Sequence, residues 1–172
     1  FFFFFNTCVR YLAKKMGKRH ISIVSQVTYF AMTGFIGFFM NYADTVPISH
    51  DSHYVNRTLT DILTKLVNKG EYVLIYPEQE MWFNYRKPRP FKRGAYFYAA
   101  KAMKPVISCF VEQIDTDKAE NEQFYKVKYR VHVLDVIYPD AEKSVRENSF
   151  YMVQRDEQLK REAYEKAYNK PL

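Results

Sequence analysis

Glycine is scarce in this sequence: there are five in 172 residues. None falls in the spacing of a phosphate-cradling loop, which excludes a P-loop nucleotide site. Cysteine is scarcer still. Cys8 and Cys109 stand far apart, with no Cys-x-x-Cys spacing and no histidine cluster beside either. That excludes a disulfide framework and a zinc site, and it points to a reducing compartment. The chain does not open on Met or on the charged, apolar and cleavage regions of a signal peptide, so Phe1 to Phe5 reads as the broken end of a longer chain. No repeat and no low-complexity linker appears beyond that phenylalanine run. The length suits one domain with one core, and a two-domain enzyme is excluded.

What is present is aromatic and basic. Aromatic residues make up 18% of the chain, and the net charge of +7 is unevenly placed. Residues 1–43 hold five bases (Arg10, Lys14, Lys15, Lys18, Arg19) and no acid. Residues 81–111 hold seven more (Arg86, Lys87, Arg89, Lys92, Arg93, Lys101, Lys104), again with no acid, which leaves the rest of the chain at −5. Both stretches adjoin apolar sequence. That pairing suits anionic lipid surfaces or phosphate-bearing ligands, and a solvated basic face is the plainer alternative. Ile21 to Ala43 lacks any Asp, Glu, Lys or Arg, but Ser22, Ser25, Gln26, Thr28, Thr33, Gly34 and Gly37 dilute it. A strand followed by a membrane-apposed helix fits better than a spanning helix.

Local patterning alternates strand and helix. His20 to Ser25 is short and β-branched, a strand, and Gln26 to Met40 reads as an apolar helix. Thr45 to Ile48 is extended. Asp51-Ser52 offers an N-cap to a helix whose stripe runs Val55, Leu59, Ile62, Leu63, Leu66, Val67 and which Gly70 ends. Tyr72 to Tyr76 is an apolar run expected to be a strand covered on both faces. A loop with Pro88 and Pro90 leads into a helix from about Gly94 to Met103, then a buried strand from Pro105 to Val111. From Tyr125 to Val133 apolar and polar residues alternate, as in a half-exposed edge strand that carries a solvated His132. Residues from about 141 to 172 form a surface helical extension, with the helix near Gln154 to Tyr168. The expected class is α/β, with a mixed, partly parallel central sheet flanked by helices.

Chemistry concentrates in Tyr76-Pro77-Glu78-Gln79-Glu80 and, after a basic loop, Pro90-Phe91-Lys92-Arg93-Gly94-Ala95. A carboxylate just beyond a buried strand sits where α/β sheets bind ligands, so Glu78 is the first candidate; a solvated loop glutamate is the alternative. Cys109 reads as core rather than nucleophile. Of the aromatic set Trp82, Phe83, Tyr85, Tyr96, Phe97 and Tyr98, some suit an acyl tunnel and at least half are ordinary core.

The succession of strand, Tyr-Pro-Glu, basic loop, Pro-Phe-Lys-Arg-Gly-Ala, helix and Lys104-Pro105-Val106-Ile107 resembles the 1-acylglycerol-3-phosphate acyltransferase family. That family's pattern runs Phe-Pro-Glu-Gly-Thr-Arg-Ser, a spacer, Pro-Phe-Lys-x-Gly, a helix and Val-Pro-Ile-Val-Pro. The resemblance extends from about Lys18 to Val111. It implies a single-domain fold of the glycerol-3-phosphate acyltransferase kind and transfer of a fatty acyl group to a hydroxyl of a lysophospholipid-like acceptor in phospholipid biosynthesis. The acyl donor implied is a thioester of coenzyme A or of acyl carrier protein, with no further cofactor and no metal. The place implied is the cytoplasmic face of a membrane, held peripherally or monotopically. The resemblance assigns acceptor binding to Pro77 and Glu78, and to the Pro-Phe-Lys-x-Gly segment, here Lys92 and Gly94 with Arg93 at the variable place, a positive charge near the substrate.

Three departures stand out. None of His20, His50, His53 and His132 has Asp five residues later, so the family's His-x-x-x-x-Asp pair, proton acceptor and its orienting partner, is expected upstream of Phe1. Gln79, Glu80 and Met81 replace Gly, Thr and Arg, and Arg86, Lys87 or Arg89 is expected to take the lost arginine's place at phosphate. Asp44 to His50 is a weak counterpart of the family's Gly-x-x-Phe-Ile-x-Arg block. The alternative to an enzyme is a non-catalytic membrane-surface or lipid-binding module. Nucleic acid is not an expected partner, because no recognition motif accompanies the basic residues.

Overall fold

The computed structural model describes residues 11, 14–15, 17, 20–26, 45–49, 54–79, 85–119 and 123–172. It adopts the expected α/β class. The chain divides between Tyr76 and Pro77 into two compact units.

The first unit is built on a parallel sheet. Strand β1 (Ile21–Gln26) lies between β2 (Thr45–Ile48) and β3 (Tyr72–Leu74), with Ile23 opposite Thr45 and Ile21 opposite Tyr72. The β-branched run at 21–24 favours this pleat, and Ile23 and Val46 are buried. The apolar stripe that predicted a helix forms one, with a difference in its opening. Tyr54–Leu59 is wound as a π-helix, and only from Thr60–Asn68 does regular α1 continue. The wider winding leaves the Val55 carbonyl to receive the Thr60 hydroxyl at 3.2 Å, a helix defect of the kind tolerated when tertiary contacts hold it. Leu59 and Leu63 are buried, and Gly70, at φ 82°, ends the helix in the left-handed conformation that favours glycine.

Strand β3 departs from expectation. It spans three residues instead of five, all half-buried, and Tyr76 is exposed. The predicted helix 26–40, the Asp51-Ser52 cap, the counterpart block's His50, and Trp82 and Phe83 lie outside the described residues. Among the described residues, no helix is long and apolar enough to cross a membrane.

The second unit, from Pro77 onward, holds α2 (Gly94–Lys101), the antiparallel pair β4 (Val106–Ala119) and β5 (Tyr125–Ile137), and α3 (Val145–Tyr168). Strand β4 runs eight residues past the predicted end, because its continuation pairs with β5 as far as Ala119 opposite Tyr125. Its alternate residues Ser108, Phe110 and Glu112 are buried, the period of two expected of a pleat with one covered face. On β5, Tyr125, Tyr129 and Val133 remain exposed. His132 is not simply solvated: its Nε2 lies 2.7 Å from Glu112 Oε2, which also accepts from Arg130 Nη1 at 3.2 Å.

Helix α3 begins nine residues before the predicted start. Ser144 caps it: its Oγ accepts the Glu147 N–H at 3.2 Å while the Glu147 carboxylate accepts the Ser144 N–H at 2.9 Å. This reciprocal pair satisfies two donors that the first turn leaves open. Nor is α3 only a surface helix, since Asn148, Ser149, Met152, Asp156 and Tyr164 are buried. Met152 joins Phe91, Tyr96, Ala100 and Ile137 in the core of the unit. Near the helix C-terminus the Tyr168 hydroxyl takes the Gln113 N–H at 2.8 Å and donates to its carbonyl at 3.2 Å, which ties α3 to β4.

Candidate active site

The two motif segments are joined by one backbone bond: the Lys92 N–H donates to the Pro77 carbonyl at 2.8 Å. This bond closes the loop that connects them and fixes Glu78, the residue after Pro77, against the segment that precedes α2. Pro77 supplies no N–H of its own and a preset φ, so the loop's geometry is already restricted before that bond forms.

Glu78 is half-buried. Burial pushes its carboxyl above the usual value; the Arg89 backbone N–H bonded to it, and the charges of Lys160 and Arg89, pull it back, while Asp156 pushes it up. It is a carboxylate withdrawn from water but surrounded mainly by groups that favour its charge.

Gln79, in the place of the family pattern's glycine, has φ 59°. The turn after Glu78 therefore still adopts the backbone that glycine suits, and an L side chain there costs about 1 kcal/mol. Gln79→Gly is expected to raise stability by about 0.5 kcal/mol, the strain relieved being partly offset by a freer unfolded chain. Urea denaturation of the two proteins, read at matched m-values, measures it.

Behind this loop lies a buried polar cluster that the sequence did not point to. The Asp156 carboxylate accepts from the Tyr96 hydroxyl at 2.5 Å and from the Ser108 hydroxyl, and Lys160 Nζ lies 3.3 Å from it. Burial, with Asp156 alongside, drives the Tyr96 hydroxyl far above the ordinary phenol range. Lys160 Nζ also stands 4.4 Å from the centre of the Phe91 ring, and the Phe91 N–H donates to Glu157 Oε1 at 3.1 Å. Two elements of the motif region, Phe91 and Tyr96, are thus held by one face of α3. A spacing signal existed in Val145, Ser149, Met152, Asp156 and Leu159, but polar members at 149 and 156 interrupt the apolar stripe, and Asp156 and Lys160 look like an ordinary exposed i,i+4 pair.

The remaining candidates are distributed unevenly. Lys92, Arg93 and Gly94 are exposed, and the Arg93 guanidinium lies 4.4 Å from the Phe150 ring centre. Arg89 is half-buried beside Glu78. Arg86 is engaged elsewhere: Nη2 lies 2.5 Å from Asp115 Oδ1, and the guanidinium is 5.9 Å from the Tyr168 ring centre. Lys87 is exposed, and of the three bases suggested for the lost arginine Arg89 is the one that acts on the motif carboxylate. Tyr96 and Tyr98 are buried, as core residues are, while Tyr85 is exposed. Among the described residues no three metal-ligating side chains converge. The arrangement supplies a fixed hydrogen-bond acceptor, with cations close by, suited to an alcohol donor.

Comparison with curated proteins gives no significant match, and comparison with solved structures gives none. A family model, that of the acyltransferases, does match over residues 7–112, a stretch that contains both motif segments and Glu78. With more than half its length so matched, the chain belongs to the acyltransferase family typified by the 1-acylglycerol-3-phosphate acyltransferases.

Proposed function

We propose that this chain serves an O-acyltransferase of phospholipid biosynthesis, in which Glu78 receives hydroxyl hydrogens of a lysophospholipid-like acceptor. The supporting observation is the half-buried Glu78 carboxylate, fixed by the Pro77 to Lys92 bond and flanked by Arg89, inside the family-matched stretch. The acyl donor is a thioester of coenzyme A or of acyl carrier protein. In the transfer, the acceptor oxygen forms an ester bond to the acyl carbon, the carbon–sulfur bond breaks, and the acceptor proton passes through a base to the departing thiolate. No histidine of residues 1–172 has the family's aspartate five places on, and the proposal assigns that base to no residue of this stretch. Lys92 and Arg89 supply charge for an anionic substrate group.

The test is a protein that includes the sequence preceding Phe1, given radiolabelled acyl-CoA and a lysophospholipid. Diacyl product is the expected result. Absence of product with every acceptor and both donors, alongside retained vesicle binding, would favour the non-catalytic lipid-binding module.

A membrane-surface partner on the cytoplasmic face has one specific feature in its favour. Phe150 is 45% exposed, with Arg93 4.4 Å and Arg146 6.0 Å from its ring centre. An exposed apolar ring with two guanidinium groups beside it suits the boundary between acyl chains and anionic headgroups. Arg93→Gln combined with Arg146→Gln is expected to weaken sedimentation with phosphatidylglycerol vesicles roughly thirtyfold at low salt, at about 1 kcal/mol per lost charge. Binding to neutral phosphatidylcholine vesicles should change little.

A further inference from the structure

Helix α3 lies beyond the family-matched stretch, yet one of its carboxylates is bonded to the motif backbone. Phe91 follows Pro90, which has no N–H, and the residue is buried. Its own N–H enters the interior with the ring and needs an acceptor there. The acceptor comes from 66 residues further along the chain: Glu157 Oε1, at 3.1 Å. The next N–H, that of Lys92, donates to the Pro77 carbonyl at 2.8 Å. Two consecutive amides thus serve two neighbours. One is fixed to α3, and the other fixes the residue before Glu78.

We propose that Glu157 is a positioning residue for the acceptor site: by accepting the Phe91 N–H it sets the place of Lys92 and, through the Lys92 to Pro77 bond, that of Glu78. The functional half of this assignment rests on the acceptor role given to Glu78 above. Glu157 stands on a firm support. The capping box holds the start of α3, Tyr168 ties its far end to Gln113, and Met152 lies in the core between them. Lys160, three residues on, faces the Phe91 ring at 4.4 Å, so ring and backbone of Phe91 meet the same stretch of helix. Loss of the carboxylate would leave the ring packed with Tyr96 and Met152. What it frees is the backbone between Pro90 and Gly94. A displacement of about 1 Å in a substrate-positioning group can cost up to roughly a hundredfold in rate.

The experiment compares Glu157→Ala with Glu157→Gln, whose amide oxygen can still accept the Phe91 N–H. Amide hydrogen exchange is read by NMR on the 172-residue chain, with the β4 to β5 ladder as the reference for global stability. In Glu157→Ala, exchange at both Phe91 and Lys92 should quicken roughly tenfold or more relative to that ladder. In Glu157→Gln both should stay within about threefold of the parent. Glu157→Met, which keeps the stem without the oxygen, replaces the alanine variant should that one not melt cooperatively. Unchanged exchange at Lys92, whether or not Phe91 quickens, overturns the proposal. Kinetics on the longer protein separate the two claims. A roughly tenfold fall in kcat/KM for the acceptor, with the KM for acyl thioester within about twofold and recovery in Glu157→Gln, supports both. An equal loss toward acceptor and thioester marks a merely structural residue and overturns the positioning role. Quickened exchange at both amides with unchanged acceptor kinetics upholds the link from Glu157 to Pro77 and overturns the acceptor role of Glu78.

Discussion

Glu78→Ala is expected to lower kcat/KM for the lipid acceptor by roughly ten- to 150-fold while leaving the KM for the acyl thioester within about twofold. The range corresponds to loss of a hydrogen bond to a charged group, about 1.5–3 kcal/mol. Steady-state kinetics with each substrate varied in turn measure it, and a normal rate at low acceptor concentration would show that the acceptor binds elsewhere. A second readout comes from stability. Because burial raises the Glu78 carboxyl above its ordinary value, the folded protein binds that proton more tightly than the unfolded chain does. The stabilising effect is present below the unfolded value and is lost as pH rises through the folded one. Glu78→Gln removes that loss, so its melting temperature relative to the parent should be higher at pH 7 than at pH 4. A side chain that costs stability at neutral pH but supports turnover is the expected signature of a functional position.

Asp156→Ala should be the most destabilising single change in the second unit, by roughly 3–5 kcal/mol. The carboxylate holds three donors at once, Tyr96, Ser108 and Lys160. Its removal leaves two hydroxyls and an ammonium facing one another in a space that water does not reach easily, and each unsatisfied hydroxyl contributes a desolvation cost of about 1–3 kcal/mol. Asp156→Asn should cost less, because an amide oxygen still accepts one of those donors. Denaturant unfolding of the three proteins tests the order. Because Phe91 and Tyr96 pack on the same face of α3, the alanine variant should also lose acceptor use, even when assayed well below its melting temperature.

Much of this was legible in residue patterns, and the rest was hidden for definable reasons. Period and punctuation marked β1, β2, α1 and α2, because β-branched runs and an apolar stripe are local signals that tertiary packing reinforced. The motif order around Pro77, Glu78, Phe91 and Gly94 identified the family. The length of β4 was underestimated because its outer half, Gln113 to Ala119, is mostly polar and is held by pairing with β5 rather than by burial. The π-winding at Tyr54–Leu59 has no signature in the spacing of apolar residues. The largest omission, the inner face of α3, follows from its chemistry: Asn148, Ser149 and Asp156 are buried through hydrogen bonds, and a hydropathy pattern registers such residues as solvent-facing. Lys160 went unnoticed for the same reason.

The closing interaction between Tyr168 and Gln113 bears on how far the protein can be trimmed. A gene fragment cut to the family-matched stretch would stop at Glu112, halfway along β4, one residue short of the peptide that grips the tyrosine. Phe91, Tyr96 and Ser108 would be left facing solvent without the helix that covers them. For this protein the stretch recognisable by sequence ends inside a strand pair, and the helix that completes its core lies beyond that limit.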